Sequence, residues 1–221
     1  MGTEMTPEQL QAFKRAQDAV ADLQSRYRPL EPDHLDILFR GARSHNGWSD
    51  RAVEAHTLRE LFDLVKMGPT SFNCSPARFV FITSEEGKAR IKPALVEQNV
   101  EKSLSAPVLV IVAHDLAFYE HFPKLLPIRD VRPMFEGKPE LIESTAFRNG
   151  TLQGAYLMIA ARALGLDCGP MSGFNNQVVD DTFFAGTQIK SNFLCALGHG
   201  DPTKVFPRLP RFDFEEACQI A

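Results

Sequence analysis

Several features that mark common classes of protein are missing from this sequence. The 221 residues carry a formal net charge of −4, and Lys and Arg form no run, so the basic surface that nucleic acid requires is not indicated. No apolar stretch approaches the roughly 20 residues of a membrane span. The N-terminal 17 residues lack an apolar core, so we expect no secretory signal. We therefore expect a soluble cytoplasmic protein that binds neither nucleic acid nor membrane.

Metal-site patterns are also missing. The four cysteines are widely spaced and form no Cys-x-x-Cys, so neither zinc nor a thioredoxin-like couple is indicated. The six histidines show no His-Glu-x-x-His and no paired spacing, so we expect no metal. Dispersed cysteines fit a reducing compartment, in which buried thiols are the usual state.

Catalytic and nucleotide-binding motifs are scarce. Ser44, His45 and Asp50 suggest a hydrolase, but the sequence has no Gly-x-Ser-x-Gly turn. A Ser next to a His in sequence also does not easily present its hydroxyl to that ring. Neither the phosphate-binding P-loop motif nor Gly-x-Gly-x-x-Gly occurs, so a nicotinamide would not be held in a Rossmann fold.

Helices are indicated by caps and by apolar periodicity. Thr6 before Pro7 predicts a helix over 7–26, whose apolar side chains must dock on the same domain or on a second subunit. Thr57 with Glu60 predicts the start of another helix, which Gly68 and Pro69 end. The segment 84–103 is polar and helical, divided by Pro93. Residues 144–164 form the strongest helix, apolar nearly all round and therefore buried.

Strands are predicted at 77–83, from Pro107, and from Asn192. The segment 118–143 is irregular, rich in Pro and aromatic residues, and typical of a lid or binding loop. We expect LDCGPMSGFN to be a loop and residues 201–221 to be a tail. Helices first, then strands alternating with helices, indicate an α/β or α+β fold with a small sheet.

Four segments at element boundaries carry groups suited to an anionic, ring-containing ligand. Arg43, with Ser44 and Asn46, offers charge-assisted hydrogen bonds to a phosphate. A loop before a predicted strand holds amide and hydroxyl donors, and a glycine-containing segment over 169–173 permits close backbone approach to a flat ligand. A second guanidinium pair lies in the tail. Together the segments favour a ligand with a phosphate and an aromatic ring.

The same four segments resemble the FMN-dependent nitroreductase family from about residue 30 to the end. They are GARSHNGW, PTSFNCSPARFVFIT, LQGAYLMIAARALGLDCGPMSGFN, and LCALGHGDP with RLPRF. The resemblance implies an α+β fold, spanning residues 1–221 as one domain, with a mostly antiparallel sheet flanked by helices. It also implies an intertwined homodimer with FMN at the interface. The N-terminal helix and the Pro-rich tail suit wrapping of a partner, and the alternative is that both fold back on one subunit.

The resemblance implies roles for particular residues, with hydride carried by flavin N5 and no protein residue acting as the catalyst. The implied cofactor-binding residues are Arg43, Ser44, His45, Asn46, Ser71, Asn73, Ser75, Pro170, Ser172, Gly173, Arg208 and Arg211. NADH or NADPH would be the hydride donor, and a small molecule the acceptor. In the lid-like segment 118–143, we hypothesise that Arg129, Arg132 and Phe135 contact the acceptor.

The sequence departs from the common family motifs at four positions: Ala42, Ser75, Ala77 and Ser172. With His-Asn after Arg-Ser, these departures resemble the malonic semialdehyde reductases of pyrimidine degradation. That resemblance implies reduction of malonic semialdehyde to 3-hydroxypropionate. A broad nitro or quinone reductase and a flavin-binding protein without turnover are the alternatives.

Overall fold

A computed structural model of the chain describes residues 6–221. In this part of the chain four strands form one antiparallel sheet in the order β1-β2-β4-β3. Their bounds are Ala77–Ile82 (β1), Val108–Asp115 (β2), Asp167–Met171 (β3) and Ile189–Gly198 (β4). With helices on both faces, this arrangement confirms the expected α+β class.

The helices surround this sheet. Their bounds are Pro7–Ser25 (α1), Pro32–Leu35 (α2), Ala55–Val65 (α3), Glu85–Ile91 (α4), Glu97–Leu104 (α5), Phe122–Leu125 (α6), Pro139–Ala163 (α7), Asn176–Phe183 (α8) and Phe214–Ala217 (α9). A wide π-type turn over Asp36–Arg40 continues α2. Helices α3 and α7 pack against each other on one side of the sheet, and α8 packs on β4.

Strand β2 explains why its sequence is continuously apolar. All eight of its residues are buried, because it lies inside the sheet and both of its faces are covered. Successive side chains enter different cores. Leu109 and Ile111 belong to the cluster beside α8, whereas Val108 and Val110 belong to the cluster with α3 and α7.

The cap of α1 is confirmed in detail. The Thr6 hydroxyl accepts from the Gln9 amide, and the Gln9 side chain accepts from the Thr6 amide. The predicted end at residue 26 differs by one position from the observed end at Ser25. The first five residues, which belong to the segment considered for a secretory signal, lie outside the described residues.

Two predicted helix starts are wrong. Helix α3 begins at Ala55, two residues before Thr57, and no side chain caps it. Helix α7 begins at Pro139 instead of Ser144, because proline is compatible with the first turn of a helix. The irregular segment after Phe118 is correspondingly shorter than predicted and contains short helical turns and α6.

The segment predicted as the loop LDCGPMSGFN is half strand. Residues Asp167–Met171 form β3, at the edge of the sheet, where glycine and proline are tolerated. Helix α8, which follows, was not predicted. Strand β4 begins at Ile189, three residues before the predicted Asn192.

The two ends of the described chain expose their apolar side chains. Helix α1 has no buried residue, and Leu10, Phe13, Val20 and Leu23 are each about half exposed. In the tail, Phe206, Leu209 and Phe212 are each at least 70% exposed. Surfaces of this composition usually mark an interface.

Candidate functional site

A cavity of about 490 Å³, here called the arginine cleft, lies where the segment 39–46 meets the segment 206–211. Four guanidinium side chains line it: Arg43, Arg162, Arg208 and Arg211. None of the described residues that line it is acidic. The sequence predicted three of these arginines as site residues and missed Arg162, near the end of α7. The expectation that this helix is buried all round is wrong for a single chain, in which Phe147, Leu152 and Tyr156 are 39–51% exposed.

Main-chain carbonyls hold these guanidinium groups. Arg208 donates to the Arg40 carbonyl at 2.6 Å and to the Ala42 carbonyl at 2.9 Å. Arg43 donates to the Phe206 carbonyl, and Arg162 donates to the Leu38 carbonyl at 3.1 Å. Carbonyls position a guanidinium without neutralising it. The cleft therefore keeps a positive charge suited to a phosphate.

The turn that carries Ser44 and Asn46 is anchored on β3. Ser44 bridges Cys168, and the His45 amide donates to the Cys168 carbonyl at 2.9 Å. The imidazole of His45 points inward, 3.2 Å from the Asp167 carboxylate. A Cβ on Gly200 would lie 1.8 Å from His45 Nδ1, so this packing requires glycine. His45 therefore supports the turn from behind, whereas Asn46 lines the cleft.

A second cavity of about 580 Å³, the adjoining cleft, shares Asn46 and Phe206 with the arginine cleft. Asn99 and Lys102 of α5 line it. Burial lowers the pKa of Lys102, whose carbonyl accepts a 2.8 Å hydrogen bond from the Trp48 indole. Asn99 and Lys102 were not predicted, because the sequence of a polar helix does not indicate which residues it faces.

The segment after β3 reaches the adjoining cleft through Asn99. The Asn99 amide donates to the Gly173 carbonyl at 2.9 Å, and a Cβ on Gly173 would lie 2.6 Å from Asn99 Nδ2. Ser172 is exposed beside it, and Pro170 lies within β3. The close contact at Gly173 explains the glycine at this position.

The second predicted segment, the loop 70–77, is held by hydrogen bonds to α7, to the end of α6 and within the loop itself. The Ser71 amide donates to Asn149 at 2.8 Å, and the Ser75 amide donates to the Thr70 hydroxyl at 3.1 Å. The Asn73 side chain donates to the Leu125 carbonyl at 2.8 Å. Burial raises the pKa of the intervening Cys74 to about 11.

The register of the sheet places this loop at the corner opposite the arginine cleft. Cys168, beside Ser44, pairs with Leu197 near the end of β4, whereas Ala77 aligns through His114 with Lys190 near its start. The two positions are separated by roughly 23 Å along the strands and roughly 14 Å across them. One chain therefore brings the arginine cleft and the adjoining cleft together, but not the loop 70–77.

The residues hypothesised to contact an acceptor lie in different environments. Arg132 forms a double hydrogen bond with Asp130, at 3.0 and 2.9 Å, which lowers the pKa of that carboxyl. Phe135 is 3% exposed and packs on Phe118, so its burial argues against direct contact with a ligand. Arg129 is exposed.

Among the described residues no cluster of three or more His, Cys, Asp or Glu side chains is placed to hold a metal ion. Within the same part of the chain, no helix combines the length and apolarity of a membrane span.

Comparison with known proteins matches residues 40–200 to the Nitroreductase family. A protein of Cupriavidus pinatubonensis, provisionally named NADH dehydrogenase/NAD(P)H nitroreductase, is 62% identical over 190 residues, which cover 85% of this chain and 97% of that protein. The solved structure of a provisionally named nitroreductase from Exiguobacterium sibiricum in complex with FMN superimposes with a TM-score of 0.77 at 20% identity. It covers 88% of this chain and 100% of that chain.

A structure from Staphylococcus epidermidis, provisionally titled NAD(P)H:FMN oxidoreductase, has the same TM-score of 0.77 at 17% identity and covers 88% of this chain and 99% of its own. At such identities the two structures show the shared fold. The family match extends over most of the sequence, and the relative is similar over nearly its whole length. The chain therefore belongs to the nitroreductase family.

Proposed function

We propose that this protein is an FMN-dependent NAD(P)H oxidoreductase. The observation that carries the proposal is the arginine cleft, in which uncompensated guanidinium groups open into the adjoining cleft through Asn46. A phosphate at one end and a polar ring at the other match these two environments. The name of the Cupriavidus relative includes NAD(P)H, the Exiguobacterium structure contains FMN, and the Staphylococcus title includes both, which supports the same pair of cofactors here.

The residues present fit FMN in chemical character. Arg43 and Arg208, with the Ser44 hydroxyl, would hold the phosphate by charge-assisted hydrogen bonds. Arg162 and Arg211 add positive charge to the same cleft. Asn46, Asn99 and Lys102 would donate to the polar edge of the ring.

When bound, FMN supplies the redox chemistry, because it accepts hydride from NADH or NADPH and passes it to an acceptor. The protein supplies binding, orientation and electrostatics. The cations of both clefts favour added negative charge near the ring. The backbone at Gly173 permits close approach, and its carbonyl is already held by Asn99, which fixes the direction in which this segment faces the cleft.

We also propose that the active unit is a homodimer. If Ser71, Asn73 and Ser75 contact the same flavin as the arginine cleft, a second chain must supply them, because the two corners of one sheet lie too far apart. The exposed apolar side chains of α1 and of the tail support wrapping around a partner. Each site would then combine the clefts of one chain with the loop of the other.

For the acceptor we propose malonic semialdehyde. Its aldehyde would take hydride and a proton to give 3-hydroxypropionate, while NAD(P)H becomes NAD(P)⁺. The support is the sequence His45-Asn46 after Arg43-Ser44, together with the departures from the common family motifs. The name of the Cupriavidus relative, which includes nitroreductase, instead favours a nitro acceptor. The second candidate is therefore a broad nitro or quinone reductase.

The first experiment is a visible absorption spectrum of the purified full chain, before and after anaerobic addition of NADPH or NADH. We expect a yellow protein that bleaches. Colour restored by malonic semialdehyde, together with reduction of NADP⁺ by 3-hydroxypropionate, would support the aldehyde assignment. Colour restored only by nitroaromatics or quinones would support the second candidate.

Two other results would contradict the proposal. A yellow protein that neither nucleotide bleaches would be a flavin-binding protein without turnover. A colourless protein that does not bind added FMN would remove the flavin assignment, and the arginine cleft would then take a different anion.

A carboxylate on the acceptor has a specific test. The exposed Arg129 and the ion-paired Arg132 are the two arginines of the predicted lid. We expect Arg129→Ala to raise the KM for malonic semialdehyde more than Arg132→Ala does, because the latter guanidinium already has a carboxylate partner. An unchanged KM in both variants would exclude this role.

A further inference from the structure

The loop 70–77 adopts a backbone that side-chain-bearing residues rarely adopt. Phe72, Asn73 and Ser75 have φ angles of 53°, 55° and 38°, in the left-handed region, and none of them is glycine. Such conformations persist only when the surrounding structure imposes them, and they cluster where ligands are held. The loop therefore needs an identifiable restraint.

One restraint is a guanidinium clamp at the C-terminal end of the loop. Arg78 Nη1 donates to the Ser75 carbonyl at 3.1 Å and to the Ala77 carbonyl at 2.9 Å, while Nη2 donates to Asp115 at 2.7 Å. The Asp115 amide in turn donates to the Pro76 carbonyl at 2.9 Å. The Asp115 side chain is 10% exposed, so this ion pair is largely shielded from water.

A second restraint comes from the buried face of α7. Asn149 accepts from the Ser71 amide at 2.8 Å, and Gln153 accepts from the Ala77 amide at 2.9 Å. These two residues are 3% and 5% exposed and lie one helical turn apart. Both ends of the loop are therefore tied to the helix, while the clamp fixes the carbonyls between them.

We infer that Arg78 is a positioning residue, which with Asp115 holds the loop 70–77 in the conformation that presents Ser71, Asn73 and Ser75 to a ligand. This inference rests on the proposed function for the identity of that ligand. The planar fork of arginine reaches two directions at once, toward the loop carbonyls and toward Asp115. A lysine keeps the charge but loses this geometry.

The direct test is hydrogen–deuterium exchange of the full chain in wild type, Arg78→Lys and Asp115→Asn. In Arg78→Lys we expect the amides of Asn73, Cys74 and Ser75 to exchange at least tenfold faster, with the amides of β2 unchanged. Arg90→Lys is the matched control, because Arg90 also donates to a main-chain carbonyl, that of Thr182, but lies far from the loop. It should leave the loop unchanged.

Asp115→Asn keeps the shape of the side chain and removes its charge, so it decides the question if Arg78→Lys does not fold. Unchanged loop exchange in a folded clamp variant would overturn the inference. So would faster exchange spread equally over β2, because that pattern reports general destabilisation.

A second readout connects the clamp to the ligand. With FMN as the probe, we expect Arg78→Lys to weaken binding about tenfold and to alter the visible circular dichroism of the bound flavin, with no change in Arg90→Lys. If wild type itself binds no FMN, the proposed function fails, and the exchange measurement still decides whether Arg78 positions the loop. Wild-type affinity and circular dichroism in Arg78→Lys would overturn a link between the clamp and the flavin.

Discussion

The arginine cleft and the loop 70–77 are built in opposite ways. The cleft gathers guanidinium groups on exposed segments and holds them with main-chain carbonyls. The loop has little charge of its own. Three of its residues lie in the left-handed region, and buried side chains of α7 hold its two ends. The first corner offers charge, whereas the second offers a preset shape.

This difference indicates how two corners of one sheet would divide the binding of a single ligand. Charge attracts a phosphate from a distance and tolerates mobile side chains. A rigid backbone selects a flat ring by shape and lowers the entropy lost on binding. Because the two corners are separated by the width and length of the sheet, a single ligand would need a second chain to contact both.

The largest effect is expected at the arginine cleft. The double variant Arg43→Gln with Arg208→Gln removes two charge-assisted hydrogen-bond partners, which together contribute roughly 3–6 kcal/mol. We expect FMN affinity to fall at least about 100-fold in a fluorescence titration. Arg90→Gln, a surface substitution outside both corners, should change affinity less than about twofold. Equal losses in the two proteins would show that the cleft is not the phosphate site.

Breaking the proposed dimer should separate the two corners. Phe13→Asp with Val20→Asp places charges on the apolar side of α1, where each residue is about half exposed in a single chain. Each apolar side chain contributes roughly 1.5–3 kcal/mol when buried. The dissociation constant of the dimer should therefore rise about 100-fold or more. Light scattering after size-exclusion chromatography would detect the monomer.

The control for this experiment is Gln11→Asp, on the opposite side of the same helix. It should remain dimeric. A wild-type protein that is already monomeric, or a monomer that binds FMN with full affinity, would show that the loop 70–77 of a partner is not needed.

A smaller, pH-dependent effect is expected on the side of the loop 70–77. His114, which pairs with Ala77 in the sheet, is 6% exposed, and burial lowers its pKa, although Asp180, Glu143 and Asp115 oppose this shift. Below the ordinary histidine pKa of about 6.5 the unfolded chain takes up a proton that the folded chain does not. The free energy of unfolding should therefore have its full value above about pH 6.5. At lower pH it should decrease, by up to about 1.4 kcal/mol per pH unit.

The substitution His114→Phe should flatten this slope between about pH 5 and 6.5 in urea unfolding, whereas substitution of the exposed His34 by Asn should leave it unchanged. Phosphate binding at the arginine cleft, which lies at the other corner of the sheet, should be the same in His114→Phe as in wild type. A slope that persists in His114→Phe would assign the pH dependence to other groups.

The smallest effect is a difference in thiol reactivity between the corners. Burial raises the pKa of Cys74, in the loop, to about 11, whereas Cys218, in the tail, is exposed. Thiolate is the reactive form, so at about pH 8 a disulfide reagent should modify Cys218 first and leave Cys74 unreacted until the chain unfolds. Early labelling of Cys74, identified by peptide mass spectrometry, would show that the loop opens readily.

Local signals in the sequence predicted much of the fold. The cap at Thr6, the apolar run of β2 and the division of the segment 84–103 at Pro93 all appear as expected. These features depend on interactions between residues three or four positions apart, or on alternation along one strand. Strand β3 was missed because its glycine and proline are typical of a loop, and only its pairing with β4 makes it a strand.

The candidate site divides in the same way. The sequence itself indicates the residue types suited to a phosphate and the four segments that resemble the nitroreductase family. The sequence does not indicate which of these segments meet, because Arg208 contacts Arg40 across 168 positions and Arg162 enters the cleft from α7, far away in the sequence. The inward direction of His45, the burial of Phe135 and the separation of the loop 70–77 from the arginine cleft likewise follow from long-range packing.

The sequence by itself determined the helical caps, the buried central strand, the anion-binding residue types and the family. Only the tertiary structure decided that charge lies at one corner of the sheet and a restrained backbone at the other. The physical reason is that caps and periodicity act within one element, whereas a binding site depends on how elements distant in sequence pack together.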